Sequence, residues 1–297
     1  MLTFDDWIAT GERVPVSLSG RTFEVWTRRS GRGATLTLLH GFPTSAYDWA
    51  ETAAQLPELD VVTLDFLGFG DSDKPADHDY SIHEQADLVE AVWAYHGVRQ
   101  TVLTVHDYAV SVGQELLARR AEGRLTVDLR GAVFLNGGLY PDLHRALPAQ
   151  EALLDPERGP LISQMVSEEP FTASLLLTFA PSRPPAADML HELWKSVERR
   201  NGHRIGYRLI RYMLDRRRHA ARWASALEQT DVPRRFVWGM LDPVSGAHVV
   251  PRLRERVPSC PIVTLPEVGH WRALEDTAAV VDGIRRIVQE GRASARP

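Results

Sequence analysis

The feature that most narrows the folds open to this chain is an apolar, β-branched run, Gln100-Thr101-Val102-Leu103-Thr104-Val105-His106, that passes without a linker into a helical pattern. Valine and threonine favour a pleated strand because branching at Cβ restricts the side chain. Across 109–120, apolar residues recur at helical spacing (Val112, Leu116, Leu117) with polar residues between them. A buried strand that turns at once into a helix projects the corner side chain beyond the sheet, beside the free N–H groups of the helix. The corner residue here is Asp107. A carboxylate in that place is already ionised and attacks carbon directly.

The rest of the chain fits the same plan. Segments 14–18 and 23–28 alternate like a hairpin with Ser19-Gly20 at the turn. Further strands are predicted at 34–39, 60–65, 129–135, 235–238 and 261–265, with a helix at 82–96. Alternating strands and helices imply a largely parallel sheet covered on both faces, with ligands bound beyond the carboxyl ends of the strands. The alternation stops between Gly138 and about Glu228, where helical patterns surround a proline-rich break at Ala180-Pro181-Ser182-Arg183-Pro184-Pro185. The expected organisation is a core over 1–137, a helical cap over 138–228, core again over 229–290 and a tail at 291–297, fraying after Ile287.

A chain of 297 residues accommodates a core domain with one large insertion. Its net charge of −5 gives no basis for nucleic acid or an anionic membrane as partner. With Cys260 as the single cysteine, an intrachain disulfide and a thiolate metal site are both excluded. No apolar run approaches the ~20 residues needed to span a bilayer, and Met1-Leu2-Thr3-Phe4-Asp5 carries no leader pattern. The expectation is a cytoplasmic monomer or homodimer with no metal or organic cofactor.

Loops after three strands carry reactive groups in the order Asp107, Asp242, His270: nucleophile, acid, histidine. Asp107 could instead cap its helix, and Asp242 before Pro243 could start a turn. A rival nucleophile is Ser111 in Ala109-Val110-Ser111-Val112-Gly113, although it lies about one turn inside the helix. Backbone N–H groups of Phe42 and Tyr108 are the candidate oxyanion hole. In this scheme His270, held by Asp242, activates the water that hydrolyses an ester on Asp107.

The motifs His40-Gly41-Phe42-Pro43, Asp65-Phe66-Leu67-Gly68-Phe69-Gly70-Asp71-Ser72-Asp73-Lys74-Pro75, His106-Asp107-Tyr108 and Gly269-His270 resemble the epoxide hydrolase and haloalkane dehalogenase branch of the α/β-hydrolases. Asn136-Gly137-Gly138-Leu139-Tyr140, Arg211-Tyr212-Met213-Leu214-Asp215-Arg216 and Asp242-Pro243-Val244-Ser245-Gly246 resemble more specifically its mesoderm-specific transcript subgroup. The resemblance implies an α/β-hydrolase fold with a mostly parallel eight-stranded sheet and an inserted helical cap. Val105 and Ala109 stand where many hydrolase elbows carry glycine. Dehalogenase relatives hold halide with a Trp after the nucleophile and an Asn or cap Trp. Here those nearby positions are Tyr108 and Phe42, leaving Trp194 or Trp223 as substitutes.

Epoxide hydrolases protonate the alkoxide from cap tyrosines, for which Tyr212, with Tyr140 or His144 as its partner, is the candidate. The basic run Arg216-Arg217-Arg218-His219 reads as a solvated helix face, or less simply as a carboxylate-binding group. The favoured reading is an epoxide hydrolase acting on a small apolar electrophile with water. Haloalkane or haloacid dehalogenation, β-lactone opening, a serine esterase and a non-catalytic ligand-binding scaffold are the alternatives.

Overall fold

The computed structural model describes residues 2–293. Eight strands form one sheet in the order β1 (Glu12–Leu18), β2 (Arg21–Gly31), β4 (Asp60–Leu64), β3 (Thr35–Leu39), β5 (Gln100–Val105), β6 (Asp128–Leu135), β7 (Arg234–Gly239), β8 (Ile262–Leu265). β2 pairs antiparallel with β1 and β4, and every other pairing is parallel. The β1–β2 hairpin is closed by Ser19 and Gly20 at φ 49° and 81°. Two left-handed residues give the tight turn whose twist matches that of the strands. β3, β4 and β5 are buried on both faces, as parallel strands between helical layers must be.

The chain steps from β3 to β4 on one side and then returns to β5 on the other. Loops leaving β3 and β5 therefore diverge and open a crevice at the carboxyl ends of two adjacent strands. Between β6 and β7 the described residues form no strand; the main helices there are Pro148–Leu154, Arg158–Met165, Glu168–Leu176, Ala187–Glu198 and Tyr212–Gln229.

This insertion is fastened to the core by polar contacts as well as apolar ones. Glu115, wholly buried on the helix Tyr108–Ala121, accepts hydrogen bonds from Arg222, from the Trp223 indole (2.8 Å) and from Arg119 (2.9 Å), and pairs with His83. Burial opposes its charge, but those donors outweigh burial and hold its carboxyl well below the usual range. Asp215 in turn accepts the N–H of Ile82 at the start of the helix Ile82–Tyr95 (3.1 Å).

Two expectations change at the carboxyl end. The last helix runs Thr277–Ala293, through the stretch read as fraying and into the expected tail. Val288 is buried against the sheet, and the backbone at Gly291 lies against the carbonyl of Arg130, so packing carries the helix past the point where its apolar spacing weakens. Residues 294–297 of that tail lie outside the described residues. At the other end, the five-residue helix Phe4–Ile8 buries Phe4 and Trp7. It is too short to show a period in sequence.

Candidate active site

Asp107 occupies the corner between β5 and the helix Tyr108–Ala121 with φ 48° and ψ −103°. A non-glycine residue rarely adopts this conformation, which costs roughly 1–3 kcal/mol and persists because the surroundings impose it. Close packing is part of that imposition: a Cβ at Gly137 would lie 2.8 Å from the Asp107 carbonyl oxygen. The Asp107 side chain makes no capping bond to its own helix, so helix capping does not account for it.

Its two oxygens have different surroundings. Oδ2 accepts the Phe42 N–H at 3.0 Å. Oδ1 accepts no hydrogen bond among the described residues and lies 3.8 Å from Nε2 of His270. The Tyr108 N–H, first of its helix, meets no acceptor among the described residues, and the Tyr108 ring packs on Phe66, Phe69 and Tyr212. His40 sets the Phe42 loop. Its Nε2 accepts the Phe66 N–H (3.1 Å), so Nδ1 carries the proton and donates to the Gly41 carbonyl (2.8 Å). Burial pulls His40 down to about 3, which keeps that tautomer neutral.

Behind His270 the polar network is complete. Nδ1 of His270 donates to Oδ2 of Asp242 at 2.9 Å. That carboxylate also accepts from Asn136 Nδ2 (2.9 Å), Ser245 Oγ (2.7 Å) and the N–H groups of Val244 (2.7 Å) and Ser245 (3.1 Å). Burial opposes the Asp242 charge, yet His270, Arg272 and Ser245 outweigh burial and hold it well below the carboxylate range. An acceptor-only carboxylate at Nδ1 leaves the lone pair on Nε2, the atom facing Asp107.

Three groups steady the histidine's loop. Arg272 donates to the Gly269 carbonyl (2.8 Å) and to His106 (2.9 Å), and burial lowers it to about 10. From the insertion, the Thr178 carbonyl accepts the His270 N–H (2.8 Å) and the Thr178 hydroxyl accepts the Trp271 indole N–H (2.8 Å).

Asp107 and His270 lie at a cavity of about 290 Å³ whose walls are mainly apolar, including Phe42, Phe171, Leu175, Trp194 and Leu209. The other expected site residues divide. Tyr212 is fully buried at the start of its helix, packed on Phe42 and Tyr108 and, like His144, not among the residues that line the cavity; its hydroxyl has no hydrogen-bond partner among the described residues. Burial and the Asp107 charge hold its phenol well above the tyrosine range. His144 has both ring nitrogens without a hydrogen-bond partner among the described residues. Burial, with Arg216 nearby, lowers it to about 4.

Tyr140 is not part of this group. Its hydroxyl donates to Glu228 (3.2 Å) and it lines a separate surface depression with Arg252 and Glu228, beside the last turns of the Tyr212–Gln229 helix. Trp194 lines the cavity, whereas the Trp223 indole is committed to Glu115. Ser111 is wholly buried and accepts from Arg216 (2.7 Å), away from the cavity.

Arg216 itself is no solvated residue. It is 2% exposed and bonded to the elbow, because it shares a helix face with Tyr212 one turn earlier. That i, i+4 spacing was the available signal. In sequence Asn136 stands out only within its motif; an amide ending a buried strand beside two glycines marks a similar polar anchor.

The sheet order, the strained elbow and the crevice between β3 and β5 define an α/β-hydrolase. Residues 38–283 match the alpha/beta hydrolase family, and the chain belongs to it. It is 40% identical over 279 residues to LipZ of Mycobacterium tuberculosis, a protein named as a hydrolase, covering 93% of this chain and 95% of that one. It is 36% identical over 256 residues to the human mesoderm-specific transcript homolog protein, covering 83% and 76% of the two chains. The structure of haloalkane dehalogenase DbeA from Bradyrhizobium elkani shares the fold, with a TM-score of 0.80 and 18% identity over 96% of this chain and 100% of that one. The chain thus sits in the branch that holds haloalkane dehalogenases and mesoderm-specific transcript proteins. Among the described residues, no helix is long and apolar enough to cross a membrane and no cluster of His, Cys, Asp and Glu is arranged for a metal ion.

Proposed function

We propose that the protein hydrolyses small apolar epoxides to diols through an ester on Asp107, with the helical insertion 138–228 acting as the cap over the reaction. The observation that carries this reading is the division of the Asp107 carboxylate: one oxygen held by the Phe42 N–H, the other unbonded and 3.8 Å from His270 Nε2. Most buried carboxylate oxygens find a partner, whereas Asp107 keeps Oδ1 free while lining the cavity opposite His270.

In the first step Oδ1 attacks a ring carbon, the C–O bond of the epoxide breaks, and the alkoxide takes the Tyr212 phenolic proton, with neutral His144 as a second hydrogen-bonding group. In the second, His270 Nε2 takes a proton from water as the water oxygen bonds to Cγ of Asp107. The resulting oxyanion on Oδ2 is held by the Phe42 and Tyr108 N–H groups. Collapse breaks Cγ–Oδ1, the departing oxygen takes the proton from His270, and the carboxyl proton left on Asp107 returns to the Tyr212 phenolate.

Haloalkane dehalogenation is the second reading. It is favoured by the Trp194 indole, which lines the cavity and donates to no acceptor among the described residues. A single N–H is a weaker halide site than the pair that dehalogenation uses, so it ranks second.

Replacing His270 by Gln and weighing the intact protein after exposure to styrene oxide or 1-bromohexane separates the readings. A gain of the whole epoxide mass on Asp107 supports epoxide opening. A gain of the alkyl group with loss of bromide supports dehalogenation. No adduct with either refutes the aspartyl ester.

A further inference from the structure

Arg216 reaches from the helix Tyr212–Gln229 into the elbow. Its Nε donates to Ser111 Oγ (2.7 Å) and its Nη2 to the backbone carbonyl of Asp107 (2.7 Å), while Nη2 lies 3.9 Å from Asp107 Oδ1. Nη1 is buried with no hydrogen-bond partner among the described residues. The guanidinium lies over the Tyr212 ring at 4.4 Å, and a Cβ at Gly138 would fall 2.5 Å from Nη1, so glycine there makes the room it occupies. The carboxylate within 4.0 Å of this cation is that of Asp107. Nearby acids are engaged elsewhere: Asp215 with Ile82 and Arg218, Glu115 with Arg119 and Arg222, Asp242 with His270.

We propose that Arg216 is a positioning residue that drives hydrolysis of the Asp107 ester by favouring the states in which Asp107 is negatively charged. The inference rests on the reading of Asp107 given above. In the free enzyme the carboxylate balances the buried guanidinium. Forming the ester removes that negative charge and leaves the cation facing only a carbonyl and a hydroxyl, an expensive arrangement for a buried ion. Attack of water returns negative charge to the same group, first as the oxyanion and then as the carboxylate. The ester is thereby raised in energy relative to the states on either side, so its breakdown is accelerated. Ser111, read in sequence as a rival nucleophile, becomes the acceptor that holds the guanidinium in register.

The test compares Arg216→Gln, Arg216→Lys and Gly138→Ala with the wild type, using styrene oxide, rapid quenching and intact mass, with His270→Gln as reference for a trapped ester. Coulomb attraction at 3.9 Å and an effective dielectric of ~20 exceeds what a hundredfold effect requires. Arg216→Gln is therefore expected to alkylate at least as fast as the wild type and to hydrolyse the ester about ten- to a hundredfold more slowly. Ester then accumulates at steady state, and Arg216→Lys recovers most of the hydrolysis rate. Gly138→Ala keeps the charge but displaces the flexible guanidinium, and shifts the partition the same way by a smaller factor. It serves as the folded alternative where loss of a buried arginine prevents folding.

Equal slowing of both steps, or ester hydrolysis at the wild-type rate in Arg216→Gln or Gly138→Ala, overturns the proposal. No adduct on His270→Gln with either styrene oxide or 1-bromohexane overturns the ester reading and this inference with it. An adduct on His270→Gln with unchanged partition in the Arg216 and Gly138 variants overturns only the role of Arg216.

Discussion

Replacing Tyr212 by Phe should raise stability and lower epoxide turnover together. The Tyr212 hydroxyl is buried with no hydrogen-bond partner among the described residues, and leaving such a group unpaired costs about 1–3 kcal/mol. Phe keeps the ring between Phe42 and Tyr108 and beneath Arg216, so packing is nearly unchanged. The net gain should be about 1–2 kcal/mol in urea unfolding, or a few degrees in Tm for a chain of this size. On the proposed mechanism the same change removes the proton that the epoxide oxygen needs, and loss of a general acid typically lowers rate ~10²–10⁴-fold. Alkylation by a bromoalkane requires no proton and should be spared. Paired measurements of unfolding, styrene oxide turnover and bromohexane alkylation therefore give a pattern that general damage cannot mimic. A variant destabilised by more than about 1 kcal/mol that still opens epoxides at the wild-type rate would refute both the unpaired hydroxyl and its role as donor.

Two further outcomes follow from the polar groups around the elbow. Ser111→Ala should still form the ester at the wild-type rate, hydrolyse it a few-fold more slowly and lose about 1–2 kcal/mol of stability, because Arg216 Nε is left without its acceptor; failure to alkylate in a folded variant would return Ser111 to the chemistry. His40 is held at about 3 in the folded chain against 6.5 when exposed, so unfolding takes up a proton between those values. Stability should thus be full above pH 6.5 and fall on acidification, with His40 contributing up to about 1.4 kcal/mol per pH unit below 6. Urea titrations from pH 7 to pH 5 on wild type and His40→Gln test this, and identical slopes would exclude it.

The parts of the fold legible in sequence are those governed by local pattern. β5 is a run of branched residues, the Ser19-Gly20 turn is set by two residues, and the insertion is visible as a stretch without strands. Asp107, Asp242 and His270 could be placed because each follows a strand, and parallel strands bring their carboxyl ends to one edge. The insertion obeys no such rule. Which of its side chains meet the elbow depends on how the helix Tyr212–Gln229 crosses the helix Tyr108–Ala121, a tertiary angle that spacing does not encode. Tyr140 and Tyr212 therefore looked alike in sequence and lie in different places. The run at 216–219 looked uniformly basic, yet Arg216 is buried while Arg217 and Arg218 are exposed. The helix Thr277–Ala293 outlasts its sequence pattern because Val288 and Gly291 meet the sheet.

The Thr178 clasp ties the insertion to the loop that carries His270. Its carbonyl and hydroxyl grip consecutive residues, His270 and Trp271. A helical segment transplanted from a relative to alter substrate range would thus bring its own setting for the imidazole, good or bad. Recombination across this family should succeed when the crossover carries residue 178 and the 269–272 loop from the same parent. On the proposed mechanism, chimeras that divide them should fold, fill with substrate, and stall at the ester.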